Sequence, residues 1–265
     1  MKKKQVICMK WGTLYDSSYV NHLYNMVRAN TTGELRFVCL TDDTHGINEH
    51  VECHPCPTID LPAEKKNKGW RKLTTFSESN DLFGFTEDWL FLDLDVVISG
   101  DMDPFFDYEP EKSFIVMKNW TQPNKMIGNT SCYRFRVGSH TYLLENLIQS
   151  PEKYLSNYRI SQQYVSRCIS DLNFWPDEWC VLFKVQCIPA WPSRFWKEPI
   201  IPDGARVIAF PGVPNPHQAL IGEWPVKKPY KAIYKHIKPT SWIGDIWAES
   251  ERVTSEKIST MKNFS

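Results

Sequence analysis

Trp89-Leu90-Phe91-Leu92-Asp93-Leu94-Asp95-Val96-Val97-Ile98 is an apolar run broken only by two carboxylates. Its length and β-branched end read as a buried strand. An isolated buried carboxylate is too costly to keep ionised without a cationic partner, so two of them in such a run need an explanation. Side chains at i and i+2 share one face of an extended chain, and at a strand end the chain can turn so that Asp93 and Asp95 both reach one ion. Hard oxygen ligands in this arrangement suit Mg²⁺ or Mn²⁺, which keep positions open for substrate phosphates. The plainer reading is a pair of strand-end carboxylates capping backbone groups.

Outward from this run, the chain reads as an α/β protein. Residues 6–11 are a short apolar run, and Val20, Leu23, Tyr24 and Val27 share one helical face within 17–29. Residues 35–40 are a second apolar run, closed by Thr41-Asp42-Asp43. Strand, helix, strand predicts a βαβ opening, hence a parallel sheet with ligands at the carboxyl ends of its strands. Lys10-Trp11-Gly12-Thr13 and Thr41-Asp42-Asp43 stand at those ends. After Pro55, Pro57 and Pro62, the spacing of Leu73, Phe76 and Leu82 predicts a helix over 70–82. Residues 113–117 and 131–135 read as strands, 139–149 and 160–169 as helices. Beyond Trp175, Pro and Trp crowd together, with one clear strand at 206–210. No repeat or long linker divides the chain. The expectation is a catalytic domain over 1–222 and a C-terminal extension over 223–265 that packs on it or is partly mobile.

Charge and composition remove several classes of function. The 265 residues carry 31 Lys+Arg against 31 Asp+Glu, whereas a nucleic-acid binder normally needs a basic surplus. No apolar run approaches the roughly 20 residues that span a bilayer. The basic start is followed only by Gln5-Val6-Ile7-Cys8-Met9, too short for a signal peptide, which points to a cytoplasmic chain. The 8 cysteines then read as buried thiols rather than disulfides. Of 11 Trp, those from Trp175 to Trp247 crowd the C-terminal part. Indole faces suit sugar rings or the rim of a membrane; the plainer reading is that large aromatics fill an irregular Pro-rich core.

Asp-x-Asp in an apolar strand occurs in two known families. Haloacid-dehalogenase-like phosphatases use the first Asp as a nucleophile, near the start of the chain. GT-A glycosyltransferases use the pair to hold the metal of a nucleotide sugar, after a nucleotide-binding half. Here the motif follows about 90 residues of βαβ architecture. Lys10-Trp11-Gly12-Thr13-x-Tyr15, Tyr19-Val20-Asn21, residues 37–43, Gly69-Trp70-x-Lys72-Leu73 and residues 91–97 are similar, in order and spacing, to bacterial family-8-related glycosyltransferases. The resemblance implies a GT-A fold, a Rossmann-like mixed central sheet with flanking helices. It implies a hexosyltransferase that uses Mn²⁺ or Mg²⁺, a nucleotide-sugar donor (UDP-sugar first), and a glycan or glycolipid acceptor, serving surface polysaccharide synthesis. Peripheral contact with the inner membrane belongs to the same picture. The alternatives are a dehalogenase-like phosphatase with Asp93 as nucleophile, and a non-catalytic sugar-nucleotide-binding protein.

Residue by residue, the resemblance implies nucleotide-sugar contacts for Lys10, Trp11, Gly12, Thr13, Asp42, Arg71, Lys72, Asp93, Asn129, Ser131 and Lys184. Asp95 is the expected firm metal ligand and Asp93 shares the ion while touching the ribose. Family-8 enzymes take a third ligand from a late His; here Ala209 falls at that place, and His217 arrives eight residues later, within reach of the ion if the loop folds back. Ser161-Gln162 resembles the family's Asp-Gln helix start with Ser in place of Asp, which leaves Gln162 as the carried-over catalytic candidate. Inversion at the sugar needs a general base, for which Asp177 and Glu178 are the candidates; retention needs the donor phosphate or a front-face route.

Two other constellations carry less. His45, His50, Cys53, His54 and Cys56 are dense enough to suggest zinc, but the spacing matches no standard module. Cys53-His54-Pro55-Cys56 lacks the strand-to-helix setting of a redox pair. No Gly-rich phosphate loop follows the first strand, which argues against dehydrogenases and P-loop enzymes.

Overall fold

The computed structural model describes residues 3–65 and 69–262. The first two residues of the basic start, residues 66–68 and the last three of the C-terminal extension lie outside it.

The βαβ opening forms as the pattern requires. Strand β1 (Lys4–Lys10) leads through helix α1 (Ser17–Ala29) to β2 (Leu35–Thr41), which pairs parallel with β1. Asp16 starts α1 by accepting a hydrogen bond from the Ser18 amide at 3.0 Å, satisfying one of the donors that a helix start leaves without an intrahelical partner. β3 (Glu52–Pro55) continues the sheet beyond β2.

The run that opens the argument is not one strand. β4 (Asp88–Leu92) belongs to the main sheet, while β5 (Val96–Ile98) belongs to a second sheet, and Asp93, Leu94 and Asp95 form the turn between them. Each half is buried for its own reason, so the apolar pattern runs on across a break that hydrophobicity alone does not mark.

The rest of the chain completes the two sheets and their helical cover. Helix α2 (Pro104–Asp107) is followed by β6 (Phe114–Lys118) and β7 (Gly128–Arg136). Then come α3 (Tyr142–Gln149), α4 (Pro151–Asn157), α5 (Ser161–Cys168), β8 (Asn173–Phe174), β9 (Cys180–Leu182), β10 (Val207–Ala209), α6 (Pro216–Leu220) and α7 (Ser241–Lys262). The main sheet has seven strands in the order β3-β2-β1-β4-β7-β6-β8, and β5-β10-β9 form the smaller one. β7 runs antiparallel to β4 and β6, which makes the main sheet mixed. Where a helix was expected over 70–82, short 3₁₀ turns form at Trp70–Phe76 and Ser79–Asp81.

Both faces of the main sheet are buried. On β1, Val6 and Cys8 face a core shared with α1 and the second sheet, while Ile7 and Met9 face one shared with Trp70, Leu73 and Tyr164. This explains continuous rather than alternating hydrophobicity. Trp70 and Trp89 are fully buried in the second core.

α7, which the residue pattern did not reveal, lies along α1. Its Lys257 Nζ donates to the carbonyls of Arg28, Ala29 and Thr31 at 2.9, 2.8 and 3.0 Å. An ammonium there serves the carbonyls left open where α1 ends and opposes the negative end of its dipole. No helix among the described residues is long and apolar enough to cross a membrane.

Candidate active site

The two carboxylates stand at the seam of the two sheets. β1 and β4 are parallel neighbours, so their carboxyl ends open on the same side. At the end of β4 the Asp93 amide still donates to Ser131 on β7, at 2.9 Å. The chain then leaves the main sheet, and the Asp95 carbonyl accepts from the Phe210 amide at 3.0 Å beside the second one. At the end of β1 the chain turns at Gly12, whose φ of +63° lies in the left-handed region that glycine adopts at least cost. The Gly12 amide donates to Asp42 Oδ2 at 3.0 Å, tying the end of β1 to the end of β2.

These ends enclose a cavity of about 660 Å³ lined by Trp11, Gly12, Thr13, Tyr15, Lys72, Asp93 and Asp95, among others. Lys72 Nζ lies 2.5 Å from Asp93 Oδ1 and also donates to the Thr130 carbonyl at 3.2 Å. Tyr15 donates its hydroxyl to Asp95 Oδ2 at 2.8 Å. Burial above all, and then the Asp93 charge, push the Asp95 carboxyl from its ordinary 3.8 up to about 7. Burial and the nearby Asp95 charge likewise raise the Tyr15 hydroxyl.

A buried carboxylate with so little cationic compensation fits a bound cation. Among the described residues no three His, Cys, Asp or Glu side chains gather at metal-binding distance; the two carboxylates are the oxygen donors that could hold an ion here. That suffices for Mg²⁺ or Mn²⁺, which bind through one or two carboxylates and complete their shell with water and phosphate oxygens.

No protein-family model and no curated protein matches the sequence. Solved structures do match. GlyE, a glycosyltransferase of Streptococcus pneumoniae TIGR4, aligns with a TM-score of 0.60 at 11% identity, over 98% of this chain and 65% of its own. Galactosyltransferase LgtC, solved with donor and acceptor sugar analogues, aligns with a TM-score of 0.54 at 11% identity, over 80% of this chain and 88% of its own. The bifunctional glycosyltransferase WbbM gives 0.52 at 13% identity, over 93% of this chain and 51% of its own. The chain has the GT-A fold. It spans somewhat under two thirds of GlyE, at 65%, and about half of WbbM.

Within this GT-A fold most of the nucleotide-side candidates converge. Trp11, Gly12, Thr13, Lys72 and Asp93 line the cavity itself. Asp42 borders a neighbouring cavity of about 500 Å³ between the ends of β2 and β3, with Cys53, His54 and Cys56. Arg71 touches a lining residue of each: its guanidinium lies 5.9 Å from the Trp11 ring centroid, and Nη1 lies 3.7 Å from Cys56 Sγ. His54 is held by Glu52, 2.6 Å away. Asn129 and Ser131 lie in β7 where its register with β6 shifts; the Ser131 amide donates to Asn129 Oδ1 at 2.9 Å, and the Ser131 carbonyl accepts from the Asp93 amide. Gln162 is the second residue of α5, after the buried Ser161, whose hydroxyl faces Gly69 at the cavity wall.

Other candidates lie elsewhere. The Lys10 side chain is buried and points back to Asp43, donating to its carbonyl at 3.4 Å, so it braces the β2 loop outside the cavity lining. Asp177 and Glu178 precede β9 at the end where Cys180 pairs with Val207, opposite the end where Ala209 approaches Asp95. Asp177 pairs with Lys118 at 3.3 Å on the surface, and Glu178 covers Gly204. The direction of β9 thus carries both away from the end of the small sheet that meets Asp95.

His217 does not fold back onto the carboxylates. Asn215 caps α6 with a reciprocal bond to Gln218, which fixes the helix start and directs His217 into an aromatic cluster. Its ring centroid lies 4.2 Å from Tyr19 and 4.6 Å from Trp247, and Tyr19 in turn packs on Tyr15, 4.6 Å away. Ring contacts lead from His217 through Tyr19 and Tyr15 to Asp95, His217 does not join the two carboxylates in a metal-binding group among the described residues, and burial lowers its pKa. Lys184 reaches the other flank of Asp95: it donates to the carbonyls of Pro211 and Val213 and senses the Asp95 charge. Residue reading missed Tyr15 as a site member. It stands before the α1 cap within the Lys10–Tyr15 motif, which gave it no role; the turn at Gly12 aims it at Asp95.

Proposed function

We propose that the chain is a metal-dependent glycosyltransferase of hexosyl type, moving a sugar from a nucleotide donor, UDP-sugar first, to a glycan or glycolipid acceptor in surface polysaccharide synthesis. The observation that carries this reading is the pair Asp93 and Asp95 at the seam of the sheets, facing Lys72 and the 11–15 turn across one cavity. Solved glycosyltransferases of the same fold support it. The phosphatase alternative loses its ground because the fold is not that of the dehalogenases.

Asp93 and Asp95 are the residues that would hold Mn²⁺ or Mg²⁺. When bound, the ion supplies positive charge to the diphosphate of the donor. Lys72 presents its ammonium to the same place and stabilises negative charge developing on the leaving phosphate. Trp11 and Arg71 flank the nucleotide side, and Asp42 holds the β1 turn in shape through Gly12. Tyr15 keeps one Asp95 oxygen oriented through its hydroxyl. Among the described lining residues the only carboxylates are Asp93 and Asp95. With no separate general base there, the route that retains configuration at the sugar is favoured.

A thermal-shift panel of UDP, GDP and CMP and their sugars, with and without Mn²⁺, tests the reading. UDP with Mn²⁺ is expected to stabilise the protein, by about 2.7 kcal/mol at a hundredfold excess over Kd, and Asp95→Asn is expected to abolish the metal-dependent part. If no nucleotide stabilises the protein, or if stabilisation ignores both metal and mutation, the reading is wrong.

A further inference from the structure

Tyr15 stands at the end of an exposed turn. Gly12, Thr13 and Leu14 lie in solvent, with Leu14 77% accessible, so the backbone that carries Tyr15 gains little from burial. Yet the Tyr15 hydroxyl is held 2.8 Å from Asp95 Oδ2. A hydrogen bond of that length needs the ring fixed in both of its side-chain torsions, and fixing them costs conformational entropy. Packing against the ring has to supply the restraint.

That packing is a column of rings drawn from three helices. Tyr19, in the first turn of α1, lies 4.6 Å from Tyr15. His217 of α6 lies 4.2 Å from Tyr19, and Trp247 of α7 lies 4.6 Å from His217. His22, on the same face of α1 as Tyr19, stacks on Trp247 at 4.2 Å with the two planes 11° apart. Beyond the rings α7 is tied to α1, since Thr254 Oγ1 donates to the Asn25 carbonyl at 3.1 Å and Lys257 closes the end of the helix. Stiff rings in close contact leave one another little room to turn. His217 Nδ1 and Trp247 Nε1 are buried without a hydrogen-bond partner among the described residues. A buried polar atom normally has one, so these two side chains hold their places by ring shape.

We infer that His217 and Trp247 are positioning residues for Asp95: through Tyr19 they hold the Tyr15 ring so that its hydroxyl stays on Asp95 Oδ2. The C-terminal helix α7 is then a working part of the candidate site. The consequence for a bound ion rests on the proposed function, whereas the coupling between the rings and the carboxylate is read without metal or donor.

Double-variant cycles on the full chain test the coupling, by thermal melting in EDTA at pH 8.5. Removing a hydrogen bond to a charged acceptor by Tyr15→Phe is expected to lower the melting temperature by about 3–6 °C in the parent. The same change is expected to cost about 1 °C or less in a His217→Ala or a Trp247→Ala background, where the ring is already loose. In a His217→Phe background, which restores the ring without its nitrogens, the full loss is expected to return. Mn²⁺ affinity, read from the electron paramagnetic resonance signal of the free ion, is expected to fall about tenfold in Tyr15→Phe, His217→Ala and Trp247→Ala alike, with no further fall in the double variants. A Tyr15→Phe loss of equal size in every background overturns the inference, as does no loss in the parent or a His217→Phe background that behaves like His217→Ala. Failure of the parent to bind Mn²⁺ overturns the metal reading of the site and not this inference, which the melts decide.

Discussion

Asp95→Asn is expected to stabilise the metal-free protein, and to do so only at neutral and alkaline pH. Burial and the Asp93 charge hold the Asp95 carboxyl at about 7 in the folded chain, against its ordinary 3.8. A carboxyl raised in this way costs nothing below 3.8, where it is protonated in both states. Between 3.8 and 7 the unfolded chain releases the proton that the folded chain keeps, so stability falls as pH rises, and above about 7 the cost is constant. At about 1.4 kcal/mol per pH unit the full cost reaches about 4 kcal/mol, and at pH 4.5 only about 1 kcal/mol. Asn has nearly the same volume, carries no charge and still offers an oxygen to the Tyr15 hydroxyl, so it removes this cost without opening a hole. For a chain of this length about 2 °C accompanies each kcal/mol, which sets the expected rise in melting temperature at up to about 8 °C at pH 8.5. The assay is thermal melting of both proteins in EDTA between pH 4.5 and 8.5. An Asn variant no more stable than the parent at pH 8.5, or a gain of the same size at both ends of the range, refutes the argument. Added Mn²⁺ should then close the gap by stabilising the parent alone.

Three further outcomes follow from the site and its supports. Lys72→Met removes the partner of Asp93, whose side chain is 20% accessible; turnover is expected to fall about a hundredfold or more, and Mn²⁺ to recover the lost melting temperature but not the rate. His217→Phe preserves ring packing against Tyr19 and Trp247 and is expected to leave the Mn²⁺-dependent thermal shift unchanged; loss of that shift would restore His217 as a ligand. Gly128→Ala places a Cβ 2.5 Å from Val116 Cγ1, an overpacking that costs about 1–3 kcal/mol; denaturant melts should show the loss, and Val116→Ala in the same chain should recover much of it.

Much of the site was legible because its signals are local. The βαβ opening follows from hydrophobic runs and one helical face, and Asp93 and Asp95 announce themselves as carboxylates where burial is otherwise complete. Lys72, Trp11, Gly12, Thr13 and Asp42 stand at strand ends or in motifs whose order survives in the chain. Less legible were elements stabilised by what they pack against. β5 and β9 are three residues each, too short for a period, and exist because β10 pairs with both. α7 owes its place to Lys257 on the end of α1 and to Trp247 stacked on His22, at 4.2 Å.

The sequence by itself determined that the protein is an α/β domain with a hard-oxygen pair at a strand end, since apolar runs, helical spacing and the cost of burying charge are properties of neighbouring residues. Tertiary structure alone decided which distant groups face that pair. Tyr15 reaches it because parallel β1 and β4 open on the same side, and Lys72 because the 3₁₀ turn at Trp70–Phe76 packs against that face of the sheet. Asp177 and Glu178 lie away from it because β9 points the other way, and His217 because a helix cap turns it into a cluster of rings. Directions of this kind depend on strand pairing and on how a turn aims its side chains, and separation along the chain does not encode them.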